Sequence, residues 1–180
     1  MKKKIFVLAA VLVLLAAAGF AVIDGSSPAV EAKADMIGSN GKMMGVIILT
    51  ETEKGVLIRG SLKGLKPGAH ALHIHATGMC EHHDFMTAGG HFNPYGKEHG
   101  FLSPKGPHAG DLPGITADMW GRAEFKFLTA YVTLIKGRPN SLLRPGGTAL
   151  MVHQNSDDYI TNPTGNAGDR VACGVIVEGK

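Results

Sequence analysis

AHALHIHATGMCEHHDFMTAGGHFNPYGKEHGFLSPKGPHAGD, residues 69–111, decides how the chain is read. It opens as a strand does: Ala71, His73 and His75 fall on one face, and His70, Leu72 and Ile74 on the other. From Gly78 to Gly114 there is too much glycine, proline, histidine and asparagine for regular structure, and a loop of that length in a compact domain is normally functional. The stretch holds eight of the nine histidines and one of the two cysteines. No core needs so many neutral nitrogen ligands, whereas imidazole suits zinc and copper and a carboxylate is their normal companion. The bland alternative, a His-rich scavenging tract, fits poorly with histidines spaced at intervals among turn residues.

On either side of this stretch the chain reads as short strands. Residues 29–37 alternate Val30, Ala32, Ala34 and Met36 against Glu31, Lys33 and Asp35. Ser39-Asn40-Gly41 signals a hairpin into a second strand over 43–51, and a third follows over 56–62. Beyond the loop, strands are expected over 115–118, 122–129, 131–135, 148–153 and 170–178, with a second irregular stretch over 154–169. About eight short strands and no helical period make an all-β sandwich or closed barrel, with two long functional loops and no internal repeat.

The chain starts with Lys2-Lys3-Lys4 and an apolar run over 5–23, the form of a secretory signal. The run is also long enough for an uncleaved membrane tether. Small residues Ala16, Ala17, Ala18, Gly19 and Ala21 favour processing near Ala21, because cutting at Ala32-Lys33-Ala34 would remove the first strand. The expected organisation is a signal or anchor over 1–23, a linker over 24–28 and one domain over 29–180, outside the cytoplasm (secreted, periplasmic or anchored to the envelope). The 18 basic residues fall to 15 once Lys2, Lys3 and Lys4 are set aside, equal to the 15 acidic ones. A nearly neutral domain is no bulk partner for nucleic acid. Cys80 and Cys173 in an exported chain read as one disulfide, with free thiols or zinc ligands as the alternative.

His73 and His75, two apart on a strand, can reach one ion together. His91, His99, His108 and Asp111 lie on the adjoining loop, and His153 ends a later strand. Six histidines and one aspartate exceed a single tetrahedral site and suit two ions that share a ligand. His91, His99, His108 and Asp111 form an N3O set suited to structural zinc. His73, His75, His91 and His153 form an all-nitrogen set suited to copper, the ion of the two that changes oxidation state, with His91 shared. His70 reads as structural from its outward-alternating position, and His82 and His83 as solvated loop residues or an auxiliary copper-capture pair. Met43-Met44 reads as strand residues and not as a copper-binding cluster.

These residues resemble the copper,zinc superoxide dismutases of the bacterial secreted type. His73-Ile74-His75 is similar to the family's paired copper ligands, and Gly89-Gly90-His91-Phe92-Asn93-Pro94 to its bridging-histidine motif. His99 with His108-Ala109-Gly110-Asp111-Leu112 is similar to its zinc ligands, and Met151-Val152-His153 before Asp157-Asp158-Tyr159 to the strand end with the last copper histidine. Gly165 to Ile176 is similar to its C-terminal signature, with Arg170 as active-site arginine and Cys173 as disulfide cysteine. The resemblance implies an eight-stranded Greek-key barrel of immunoglobulin-like type that binds copper and zinc and disproportionates superoxide to dioxygen and hydrogen peroxide. It also implies that Arg170 orients the anion, that His91 carries a proton, and that Asp157 holds ligand histidines of both sites. Asp169 beside Arg170 is a departure that would weaken the pull on an anion. A noncatalytic copper-binding or copper-delivery protein on the same fold is the alternative, and a homodimer is left open.

Overall fold

The computed structural model describes residues 29–179; the signal, anchor and linker expected before residue 29 lie outside them. Ten strands follow in order: β1 (Glu31–Gly38), β2 (Met43–Thr52), β3 (Gly55–Leu62), β4 (Gly68–His70), β5 (Leu72–His75), β6 (Ile115–Ala117), β7 (Ala123–Thr129), β8 (Ala149–His153), β9 (Arg170–Val175) and β10 (Val177–Glu178). A single 3-10 turn over Met86–Ala88 is the only helical element among the described residues, and none of them forms a helix able to cross a membrane.

All pairings between the named strands are antiparallel. The main sheet runs β5-β8-β9-β1-β2-β3-β7, with β10 on the far end of β1, and β4 pairs with β6 in a small second sheet. After β3 the chain crosses to the opposite end of the main sheet to lay down β5, then returns so that β7 pairs with β3. This is the Greek-key crossing that the resemblance implies. Alternation does the sorting: Ala32, Ala34, Met36, Ile47, Leu49, Val56 and Ile58 are fully buried, while Glu31 and Lys33 face solvent. At Gly60 the absent side chain leaves room for the Phe125 ring from the paired strand, which a Cβ would strike.

Two strand expectations are corrected. The strand expected to start at Ala69 is broken at Ala71: β4 pairs with β6 and β5 with β8, because Ala71 N–H leaves the ladder to donate to Asn155 C=O. Residues 131–135 form no strand, only an isolated bridge at Thr133. Val132 and Leu134 are buried as alternation suggests, but the Leu134 N–H donates to the Glu51 carboxylate instead of a neighbouring strand.

Candidate metal centre

His73 and His75 project to the same side of β5, which is buried along its whole length. Its partner β8 ends in His153, where the register shifts between Val152 and His153. A bulge of this kind re-aims a side chain, and His153 Nε2 comes within 3.4 Å of His75 Nε2. The long loop returns to β5 through bonds from Phe92 N to Ile74 O and from Ala76 N to Gly90 O, which seat His91 between them. Its ring centroid lies 4.0 Å from that of His73.

A carboxylate gathers the remaining histidines. Asp111 Oδ1 lies 3.0 Å from His91 Nδ1, 3.0 Å from His99 Nδ1 and 3.2 Å from His108 Nδ1, while Oδ2 accepts from the backbone N–H groups of Gly100 and His108. A second carboxylate joins the two groups: His73 Nε2 donates to Asp157 Oδ2 at 2.6 Å and His99 Nε2 to Asp157 Oδ1 at 2.9 Å. His75 Nδ1 donates to Gly89 C=O, and His153 Nδ1 to Gly168 C=O.

This accounting decides what the centre can hold. His73, His75 and His153 each use one nitrogen as donor, and His91 faces Asp111 with its Nδ1. The four remaining nitrogens therefore present lone pairs to one another. His73 Nδ1 and His91 Nε2 are buried without any partner. Converging buried acceptors with no donor among them are satisfied by a cation. His73, His75, His91 and His153 each offer an atom within 4.8 Å of all the others, and so do His73, His91, His99 and Asp111. His73 has one free nitrogen for both groups because Asp157 takes the other. The carboxylate group is thus better closed by His108, whose Nδ1 is 3.4 Å from His91 Nδ1.

The electrostatics keep the two groups distinct. Burial, then the neighbouring imidazoles, hold His75 well below its ordinary value, His91 at about 4 and His153 at about 3, although hydrogen bonds oppose the shift. These rings stay neutral and free to ligate at neutral pH. At His99 burial also disfavours charge, but the bonds to Asp111 and Asp157 outweigh it and raise the group to about 9. Asp111 and Asp157 resist burial through the same imidazole bonds and sit well below the usual carboxylate range.

Arg170 begins β9 and donates from Nη1 to Phe85 C=O and from Nη2 to Gly89 C=O, both at 2.7 Å. Gly89 C=O thus holds both Arg170 and His75. Burial lowers the Arg170 pKa, and the charge acting against that is Asp84. Asp169, the neighbour in sequence, is exposed and forms no ion pair with Arg170 among the described residues. The loop carrying the two carbonyls is tied to β9 by the Cys80–Cys173 disulfide. His75, His91, His108, His153 and Arg170 line a cavity of about 600 Å³ whose remaining wall includes Thr164 and Asn166.

His70 belongs to neither group and is structural, though buried and not outward: its Nδ1 and Nε2 are each 2.8 Å from a backbone carbonyl, of His153 and Lys66. His82 and His83 are exposed and join neither group. Sequence reasoning passed over Gly165, whose Cβ would land on Asp157 and His99. The signal was its place in the glycine-rich stretch before Arg170.

A family model described as copper/zinc superoxide dismutase matches residues 43–176. The chain is 49% identical over 177 residues to superoxide dismutase [Cu-Zn] 2 of Aquifex aeolicus, spanning 98% of this chain and 99% of that one. It is 40% identical over 144 residues to a superoxide dismutase-like protein of Bacillus subtilis, spanning 79% and 74%. Among solved structures it is similar to a SOD-like protein from Bacillus subtilis, with a TM-score of 0.78 at 37% identity over 81% of this chain and 97% of that one.

Proposed function

The chain belongs to the copper/zinc superoxide dismutase family, and on that premise we propose that His73, His75, His91 and His153 hold its copper while His91, His99, His108 and Asp111 hold its zinc. Its activity is the disproportionation of superoxide to dioxygen and hydrogen peroxide. The observation that carries the residue assignment is the pair of buried, unpartnered nitrogens His73 Nδ1 and His91 Nε2 among rings whose other nitrogens are occupied. Bound copper supplies the couple that takes an electron from one superoxide and returns it to the next, and bound zinc supplies a redox-inert fixed charge.

The chain's own residues do the rest. Arg170, clamped by two carbonyls, presents a permanent positive charge on the wall of the catalytic cavity and orients the anion there. His91 takes up and delivers a proton at Nε2, its ring held through Nδ1. Asp157 fixes the orientation of His73 and His99 at once, which couples the two sites mechanically. The working domain lies outside the cytoplasm in this reading, supported by the disulfide. Residues 1–23 then act as signal or retained anchor, which the intact mass of the exported protein distinguishes.

The test is superoxide decay by protein loaded with both metals. His153→Ala should lose copper, retain zinc and fall to the rate of free copper. Arg170→Ala should keep both metals and lose at least about tenfold in rate, the lower end of electrostatic guidance. Wild-type decay no faster than free copper, with neither substitution changing it, overturns the reading in favour of a noncatalytic metal-binding protein.

A further inference from the structure

We propose that Asp84 is the positioning residue of Arg170: it shapes the turn whose carbonyls hold the guanidinium, and its negative charge tempers the pull of that guanidinium on an anion. The Phe85 C=O that accepts from Arg170 Nη1 at 2.7 Å belongs to the residue directly after Asp84. The Gly89 C=O that accepts from Nη2 closes the same turn. Covalent connection therefore keeps Asp84 one residue from the clamp.

The side chain of Asp84 builds the turn. Its Oδ1 accepts from the Met86 N–H at 2.9 Å, an aspartate turn that starts the 3-10 segment Met86–Ala88. Phe85 C=O also accepts from Ala88 N–H, and Met86 C=O from Gly89 N–H. His83 and Phe85, on either side of Asp84, both have left-handed backbone, at φ 92° and 55°. Such backbone is unfavourable for residues other than glycine and persists where surrounding bonds dictate it. Here those bonds are the one to Asp84, the two from Arg170 and the Cys80–Cys173 disulfide.

The charge of Asp84 has a separate effect. Asp84 forms no ion pair among the described residues, so no carboxylate occupies the donors of Arg170 directly. Burial disfavours the charge on Arg170, and Asp84 is the group that opposes this. Lys66 and Asp169 stand on the wall of the same cavity behind Arg170, but neither acts on the guanidinium as Asp84 does. On its other side Arg170 faces the catalytic cavity, whose lining includes no carboxylate and no other lysine or arginine. The strength of the positive site is thus set from the rear: an anion gains less from Arg170 than it would without Asp84.

The inference rests on the copper-dependent reading of the histidine centre. Asparagine keeps the acceptor for Met86 N–H and removes the charge, whereas alanine removes both, so the two variants separate the two roles. In protein loaded with copper and zinc, Asp84→Asn should raise the rate of superoxide decay at low salt by about two- to fivefold. It should tighten azide, followed through the copper(II) visible band, by a similar factor. Both gains should shrink in roughly 1 M salt, where charges are screened over about 3 Å. Glu53→Gln makes the same change in net charge on the exposed β2–β3 turn, and should leave azide affinity as in wild type. Asp84→Ala should fall at least about threefold below Asp84→Asn in rate, because the clamp loosens, and its metal-free form should melt lower. The proposal is overturned if Asp84→Asn matches wild type in salt dependence and azide affinity, if Glu53→Gln matches Asp84→Asn, or if the alanine and asparagine variants behave alike. Failure of the histidine-centre reading has a different signature: the wild-type protein then shows no copper(II) band that azide shifts, and the proposal falls with it.

Discussion

Asp157 illustrates how much of the centre depends on a residue that would touch no metal. One oxygen accepts from His73 and the other from His99, so the carboxylate sets the rotation of a ring in each group. Asp157→Asn keeps the shape but removes one of the two acceptors. Copper and zinc affinities should both fall by about 10- to 100-fold, measured by chelator competition; a loss confined to one metal would contradict the bridging role. The shifted histidines also set a pH profile for the metal-free protein. His91 at about 4, His153 at about 3 and the similarly lowered His75 bind fewer protons folded than unfolded below the ordinary value of 6.5. Their effect is a loss of stability as pH falls from about 6.5, reinforced by Asp111 and Asp157 in stronger acid. His99, raised to about 9, acts oppositely: its contribution is present below about 6.5 and is lost as pH rises through 9. The melting temperature of metal-free protein should peak near pH 6.5 and fall more steeply on the acid side. A flat profile between pH 4 and 9 would refute these assignments.

At the scale of elements, irregularities make the site. The shift at the end of β8 aims His153, and the break at Ala71 frees β5 from β4 so that it can pair with β8. The loop before β9 must pass close to Asp157, which only Gly165 permits, at φ 66° and with no room for a Cβ. Gly165→Ala should therefore destabilise by about 1–3 kcal/mol and weaken both metals together. Gly146→Ala, at φ 82° with open space around it, is the control: it should cost about 1 kcal/mol and leave metal affinity unchanged. Equal metal affinity in the two variants, measured beside their thermal melts, would show that Gly165 is only a backbone requirement.

Over the whole molecule, the disulfide links residues 93 apart in sequence and fastens the loop that supplies both carbonyls for Arg170 to the strand that carries Arg170. The pair packs with Phe85, Ala88, Ala149 and Met151 in a small second core beneath the centre. Replacing both Cys80 and Cys173 with serine should remove about 4 kcal/mol of unfolding free energy, read by denaturant titration. The rate should fall as well, because the clamp on Arg170 loosens. Full activity in a stably folded double variant would show that the loop holds its place without the bond.

The all-β class, the hairpin at Ser39–Gly41, the two irregular loops and the ligand types were legible in sequence, because alternation, turn residues and imidazole chemistry are local properties. The same local rules failed at 131–135, where apolar alternation is present but the hydrogen-bond partner is the distant Glu51. They also could not say that Asp84, and not the adjacent Asp169, acts on Arg170. By itself the sequence determined which groups are available to bind metal. Which nitrogen of each ring is left free, and which residues meet across β5, β8, β9 and the long loop, only the tertiary structure decided, because those contacts join residues as far as 93 positions apart and depend on how the Greek-key sheet brings its ends together.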